Sequence, residues 1–186
     1  ERHLDEKNIL IITGSGDNGA DGAALARMLP RATLFCAATP VSPLCLLQHE
    51  RAKKLDIPYT EHIDGYDVII DAILGSGAHR ALSGELLSLI EKINVCDTYK
   101  ITLDVPSGLY AKFAAHETAF RADVTVTMGA LKTVLYGDYA KEYVGEIRIA
   151  DLGLSAEKYQ HGFAPNALLL EKDDIKTPKR YKKNVH

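Results

Sequence analysis

At 186 residues, 46% of them apolar and 25% charged, the chain suits one soluble domain with a single sizeable core. Its formal net charge of -3 excludes the electrostatic footprint of a nucleic-acid or acidic-membrane binder. No apolar run approaches the roughly 20 residues of a membrane span, no signal peptide is recognisable, and the cysteines Cys36, Cys45 and Cys96 are odd in number without metal spacing, which reads as reduced, mostly buried thiols in a cytoplasmic protein.

Residues 1–7 are charged and read as a loop or the end of a helix. Ile9-Leu10-Ile11-Ile12 is an apolar run and reads as a buried strand. It enters Gly14-Ser-Gly-Asp-Asn-Gly-Ala-Asp-Gly22, a glycine turn carrying oxygen side chains. The helix formers that follow predict a helix opening at about Asp21. Strand, glycine turn and helix form a nucleotide-type half-unit, in which backbone N–H groups approach an anion at the positive end of a helix. Gly14-x-Gly16-x-x-Gly19 also matches the dinucleotide fingerprint, but the second strand, over 32–38, has no acid for the ribose hydroxyls. That argues against an NAD-dependent dehydrogenase.

Ser42 and Pro43 predict the cap and first turn of a helix running through Leu44, Leu46, Leu47, Ala52 and Leu55. Residues 57–60 form a short extended piece, and 67–74 a strand with so little polar relief that both its faces must be covered. A second glycine turn follows at Gly75-Ser76-Gly77-Ala78-His79-Arg80, then a helix over 83–93 with Leu86, Leu87, Ile90 and Ile93 on one face. Further strands are predicted over 100–105, 122–129 and 145–149. Apolar strands alternating with helices predict a Rossmann-like three-layer αβα sandwich with a mostly parallel sheet. The pattern thins after about 151, giving a domain over 1–175 and a linker over 176–186 that holds the basic cluster of the tail.

In such a sheet, ligands bind beyond the carboxyl ends of the strands. Asp17, Asn18, Asp71, Gly75, Arg80, Asp104, Ser107 and Gly129 should therefore converge on one edge. Asp71 lies inside an apolar run, where a carboxylate needs an ion pair, a cap or a cation. One carboxylate among the neutral oxygens of Asn18 and Ser107 suits a hard, weakly charged ion better than zinc. Asp104 ends a strand just before Pro106 and can serve as acid, base or cation stabiliser, or simply close an Asx turn. Arg80, at an expected helix start, and Lys132, beyond Gly129, are candidates for phosphate. The seven histidines are scattered, and neither a Gly-x-Ser-x-Gly elbow nor a P-loop is present.

Taken in order, the first turn, Asp71-Ala-Ile-Leu-Gly-Ser-Gly-Ala-His-Arg80, Asp104-Val-Pro-Ser-Gly108, Thr125-Val-Thr-Met-Gly-Ala-Leu-Lys132 and Gly145-Glu-Ile-Arg-Ile-Ala-Asp-Leu-Gly153 resemble the YjeF N-terminal domain family, the NAD(P)H-hydrate epimerases. The resemblance implies interconversion of the R and S hydrates of NADH and NADPH, with a bound potassium ion and a homodimer. Carried over by motif, Asn18, Asp71 and Ser107 would ligate the potassium. Asp17, Asn18, Gly19, Ala20 and Asp21, the turn Gly75, Ser76, Gly77, Ala78, His79, Arg80 and Ala81, and Asp104 would line the hydrate site, with Asp104 catalytic and Lys132 reaching phosphate.

The family's first loop usually reads Asn-Asn-Gly-Gly-Asp, whereas here Asp17 replaces the first Asn and Ala20 the second Gly. Asp17 brings negative charge to where an anion or potassium would sit. The chain starts at Glu1 rather than Met and without the family's leading helices, which reads as a fragment of a longer product. Its end resembles the entry to the ATP- or ADP-dependent dehydratase domain of bifunctional repair enzymes. The alternative reading is a catalytically inactive YjeF-like module that binds a nucleotide or a protein; retention of Asp71, Asp104 and Ser107 argues against it.

Overall fold

Strands β1 (Ile9–Thr13), β2 (Ala32–Cys36), β3 (Val68–Ala72), β4 (Tyr99–Leu103), β5 (Val124–Met128) and β6 (Glu146–Ala150) form one all-parallel sheet, ordered β2-β1-β3-β4-β5-β6. This computed structural model describes residues 4–153 together with 167 and 169. A second unit, Leu154–His186, lies almost wholly outside the described residues, and the expected domain end at 175 and the linker over 176–186 fall there.

Residues 57–60 join this sheet by a single parallel bridge, Leu34 to Tyr59, in which Leu34 N–H donates to Pro58 O at 2.9 Å and Thr60 N–H to Leu34 O at 2.9 Å. Counting that piece as a residual strand outside β2, the order becomes 3-2-1-4-5-6-7, whose first six positions are the 3-2-1-4-5-6 of dinucleotide folds. Helices α1 (Asp17–Ala26) and α2 (Pro43–Lys54) then both lead outward, and both pack on one face, as right-handed crossovers require. The chain direction reverses between β1 and β3, so the crevice at their carboxyl ends is the expected ligand site.

The alternation of side chains along β1 builds the two cores. Ile9 and Ile11 pack with Leu34, Ile70, Ala26 of α1 and Ala52 of α2. Leu10 and Ile12 pack with Ile69, Phe120 and Ile90 and Ile93 of α3 (Gly84–Asn94). A third cluster of Val105, Leu109, Leu135, Tyr143 and Val144 fills the space under the connections after β4 and β5, where α4 (Lys141–Val144) leads into the edge strand β6.

The structure corrects several local expectations. Helix α1 opens at Asp17, four residues before Asp21, so much of the glycine turn is helix. Gly19 and Gly22 serve packing there: a Cβ on Gly19 would lie 2.2 Å from Gly14 O, and one on Gly22 would lie 2.5 Å from Ala72 Cβ. Helix α3 begins at Gly84, which leaves Arg80 in a loop rather than at a helix start. Ser42 caps α2 as expected, accepting from Cys45 N–H at 3.1 Å, but the buried face of α2 is Cys45, His49 and Ala52 while Leu44, Leu46, Leu47 and Leu55 are exposed. The cysteines are not mostly buried: Cys36 is exposed, Cys45 buried and Cys96 between the two, and all are free thiols. No helix among the described residues is long and apolar enough to cross a membrane.

Candidate active site

At the reversal point the turns after β1, β3 and β5 and the first residue after β4 enclose a cleft of about 590 Å³. Asp17, Asn18 and Asp21 of α1 form one side, the turn Gly75, Ser76, Gly77 and Ala78 another, and Asp104 and Lys132 the third. Asp104 has a left-handed backbone, φ +68°, at a cost of roughly 1–3 kcal/mol for a residue other than glycine. That bend comes directly after the last ladder residue of β4, and Asp104 lines the cleft from there.

The Asp104 carboxylate is held from two directions. Lys132 Nζ sits 2.6 Å from Oδ1 and donates also to Met128 O at 2.6 Å; Ser76 N–H donates to Oδ2 at 2.9 Å. Burial works against the charged carboxylate, but the Lys132 ammonium and the Ser76 donors outweigh it and hold Asp104 below the usual carboxylate range. Across the cleft the effect is reversed. Burial pushes the Asp21 carboxyl up, and the neighbouring Asp17 and Asp104 charges push it further.

Beneath the cleft, Asp71 is fully buried. Its Oδ1 accepts from Ser107 Oγ–H at 2.6 Å and Ile73 N–H at 3.1 Å, and its Oδ2 from Ser107 N–H at 2.8 Å and Thr102 Oγ1–H at 2.9 Å. Burial still raises its pKa, against those four donors. Ser107 Oγ in turn accepts from Leu74 N–H at 2.9 Å, which ties the loop after β4 to the second glycine turn.

Residues 1–134 match the family model for the YjeF-related protein N-terminus. The chain belongs to this family. Among its relatives are a bifunctional NAD(P)H-hydrate repair enzyme Nnr of Helicobacter pylori, 39% identical over 96% of this chain and 40% of that protein, and one of Archaeoglobus fulgidus, 34% identical over 80% of this chain and 33% of that protein. An NAD(P)H-hydrate epimerase of Oenococcus oeni is 31% identical over 82% of this chain and 78% of its own length. The chain therefore spans well under half of the bifunctional relatives. A crystal structure of yeast ynu0 (YNL200c) shares the fold, with a TM-score of 0.67 at 16% identity over 96% of this chain and 80% of that one.

Set against the YjeF N-terminal motifs, the cleft gathers Asp17, Asn18, Asp21, Gly75, Ser76, Gly77, Ala78, Asp104 and Lys132. Gly19 and Ala20 do not line it, because both are buried in the first turns of α1. His79, Arg80 and Ala81 line an adjoining cleft that shares Leu74, Gly77 and Ala78 with the first. Gly129 stands outside both, its N–H donating to Ala150 O at 2.9 Å. Lys132, expected to reach for phosphate, lines the cleft and is paired there with Asp104. Sequence reasoning missed Ser15, Gly16, Ile73, Leu74 and Met128, none with a chemical signal of its own, and Thr102, whose role depends on its register opposite Asp71.

The residues that the resemblance offers for potassium bring oxygen atoms close together. Asn18 Nδ2 donates to Leu74 O at 2.9 Å and to Leu103 O at 3.4 Å, and Leu74 O lies 3.4 Å from Ser107 Oγ. Two main-chain carbonyls and a hydroxyl thus gather above a buried carboxylate, an oxygen-rich set of low charge that the Asn18 amide meets with its nitrogen and would join as an oxygen ligand with the amide turned over. No group of three or more His, Cys, Asp and Glu suited to a metal occurs among the described residues.

Proposed function

We propose that the chain is the epimerase part of an NAD(P)H-hydrate repair enzyme and interconverts the R and S hydrates of NADH and NADPH. The names of its relatives support this reading, and one observation carries it to the residues: an ionised Asp104 facing a cleft at the reversal point of a dinucleotide-type sheet.

The reaction must remove the hydroxyl at carbon 6 of the nicotinamide ring and return it to the other face. The ring is cationic in between. Asp104, kept ionised by Lys132 and Ser76, supplies the countercharge where that cation develops. Asp21, whose carboxyl is shifted the other way, is the acid that protonates the departing hydroxyl and takes the proton back on its return. Two carboxylates with proton affinities pushed apart by their surroundings divide the work of countercharge and acid. Asn18, Ser107 and Asp71 hold potassium in this reading, and the ion supplies a fixed positive charge against the buried Asp71 carboxylate. The protein acts in the cytoplasm as a homodimer, and a dehydratase domain accompanies it in the longer product.

The test is chromatographic: conversion of purified R hydrate of NADPH in potassium buffer, above the spontaneous rate, with Asp104→Asn as control. Conversion that survives Asp104→Asn would sink the role of Asp104. No conversion by the unaltered chain, nor by one extended at its N-terminus, favours the inactive binding module.

A further inference from the structure

Away from the cleft, on the α1 and α2 face, lies a second group of titratable side chains that the proposed reaction does not use. Cys36 ends β2 and is exposed; its Sγ lies 4.0 Å from His49 Nδ1 and accepts from Thr13 Oγ1–H at 3.8 Å. His49, one helical turn beyond Cys45 on the inner face of α2, is only 5% exposed, and its Nε2 has no hydrogen-bond partner among the described residues. Tyr59 OH is 2.9 Å from the same Nδ1 and 3.4 Å from His49 O. This buried imidazole thus has Nε2 unpartnered, at a cost to packing, and shares Nδ1 between the Tyr59 hydroxyl and the more distant Cys36 thiol.

We propose that Cys36 is a modification site: a thiol activated by His49 that forms mixed disulfides with low-molecular-weight disulfides. The Cys36 proton passes to His49 Nδ1. The thiolate attacks one sulfur of the incoming disulfide, a new S–S bond forms, and the old one breaks. The departing thiolate takes up the proton, so one thiol and one disulfide give one mixed disulfide and one free thiol. Tyr59 is a positioning residue: its oxygen can accept from the new Nδ1–H while its own O–H turns to His49 O. Burial, helped by the Lys53 charge, holds the imidazole below its ordinary range, so it rests neutral and acts as a general base that takes the proton only as the sulfur attacks. Burial pushes the Cys45 thiol up, and its Sγ–H is occupied with Gly14 O at 3.5 Å, which leaves Cys36 as the reactive member. The loop leaving Cys36 is tied to the cleft, since Val41 and Ser42 N–H both donate to Ser15 O, at 2.9 and 3.1 Å.

The full chain is treated with oxidised glutathione at neutral pH, and adduct formation at each cysteine is followed by peptide mass mapping. Cys36 is expected to react about tenfold faster in the native protein than in the urea-unfolded chain, a modest share of what a positioned general base can contribute. His49→Gln should remove most of that gain with the far-UV circular dichroism unchanged. Tyr59→Phe, at a 38% exposed position that tolerates the change, should slow Cys36 in the same direction and carries the test should His49→Gln fail to fold. Equal native and unfolded rates at Cys36, or a rate unchanged in folded variants, would overturn the proposal.

Discussion

Lys132 Nζ stands 2.6 Å from Asp104 Oδ1, with the two side chains 23% and 12% exposed, and the pair closes one wall of the cleft. Burial alone would favour a protonated Asp104; the ammonium reverses that. The proposed role as countercharge therefore depends on a residue that the sequence suggested for phosphate.

Asp104→Asn keeps the size and the Ser76 contact and removes the charge. Epimerisation should fall by about 10²–10³-fold, the ordinary worth of one preorganised group aimed at the charge that develops. The protein should still fold, because the left-handed backbone at this position suits Asn as well as Asp, with a lower thermal midpoint near neutrality from loss of the Lys132 pair. Chiral chromatography and a melting curve on the same preparation check both statements.

Lys132→Met should move Asp104 upward, since burial then acts without its largest counterweight. The acidic limb of the pH–rate profile shifts to higher pH. The sign for stability follows from the direction: a depressed carboxylate contributes stability above the ordinary unfolded value, and loses it as pH falls through its own lower value. The stability gap between the two proteins should thus be widest near neutrality and close on acidification. Urea titrations at several pH values measure it, and a gap that widens in acid would contradict the assignment.

The sheet was legible because β1 and β3 are apolar runs whose polar members are Thr13 and Asp71 alone, and because Ser42-Pro43 announces a helix. The cleft was legible because Asp71, Asp104 and Ser107 are polar residues at the ends of such runs. What escaped reading depends on neighbours distant in the chain. Gly19 and Gly22 look like turn residues, yet they are glycine because a helix lies against Gly14 and Ala72. Thr102 is one more strand threonine until its register with Asp71 is known. Lys132 could not be matched to Asp104, because residues 28 apart meet only through the pairing of β4 with β5.

Gly22→Ala tests the close approach of α1 to the sheet. The new methyl would lie 2.5 Å from Ala72 Cβ and 3.1 Å from Thr13 Cγ2, so something must shift, at about 1–3 kcal/mol for overpacking. Gly77→Ala is the matched control, because its Cβ meets nothing within 4 Å. Chemical denaturation should show a loss for the first and stability within about 0.5 kcal/mol of the parent for the second.

Asp71 offers a test of the ion that does not need turnover. Its folded pKa is raised, so it favours the folded state only while protonated; that contribution is lost as pH rises through the folded value, and at neutrality the buried charge opposes folding. A cation held by Asn18, Ser107 and the Leu74 and Leu103 carbonyls offsets that charge. Potassium should therefore raise the melting temperature more than choline chloride of equal ionic strength, approaching about 2.7 kcal/mol at a hundredfold excess over its dissociation constant. Asp71→Asn should abolish the difference. The variant also turns an amide N–H donor toward donors, and its hydroxyl partners Ser107 and Thr102 can rotate to suit while the Ser107 and Ile73 N–H groups cannot, so it should cost about 1–3 kcal/mol in either salt. A chain that melts identically in both salts would remove potassium from the site and leave Asp71 as a purely structural hub between β3 and the loop after β4.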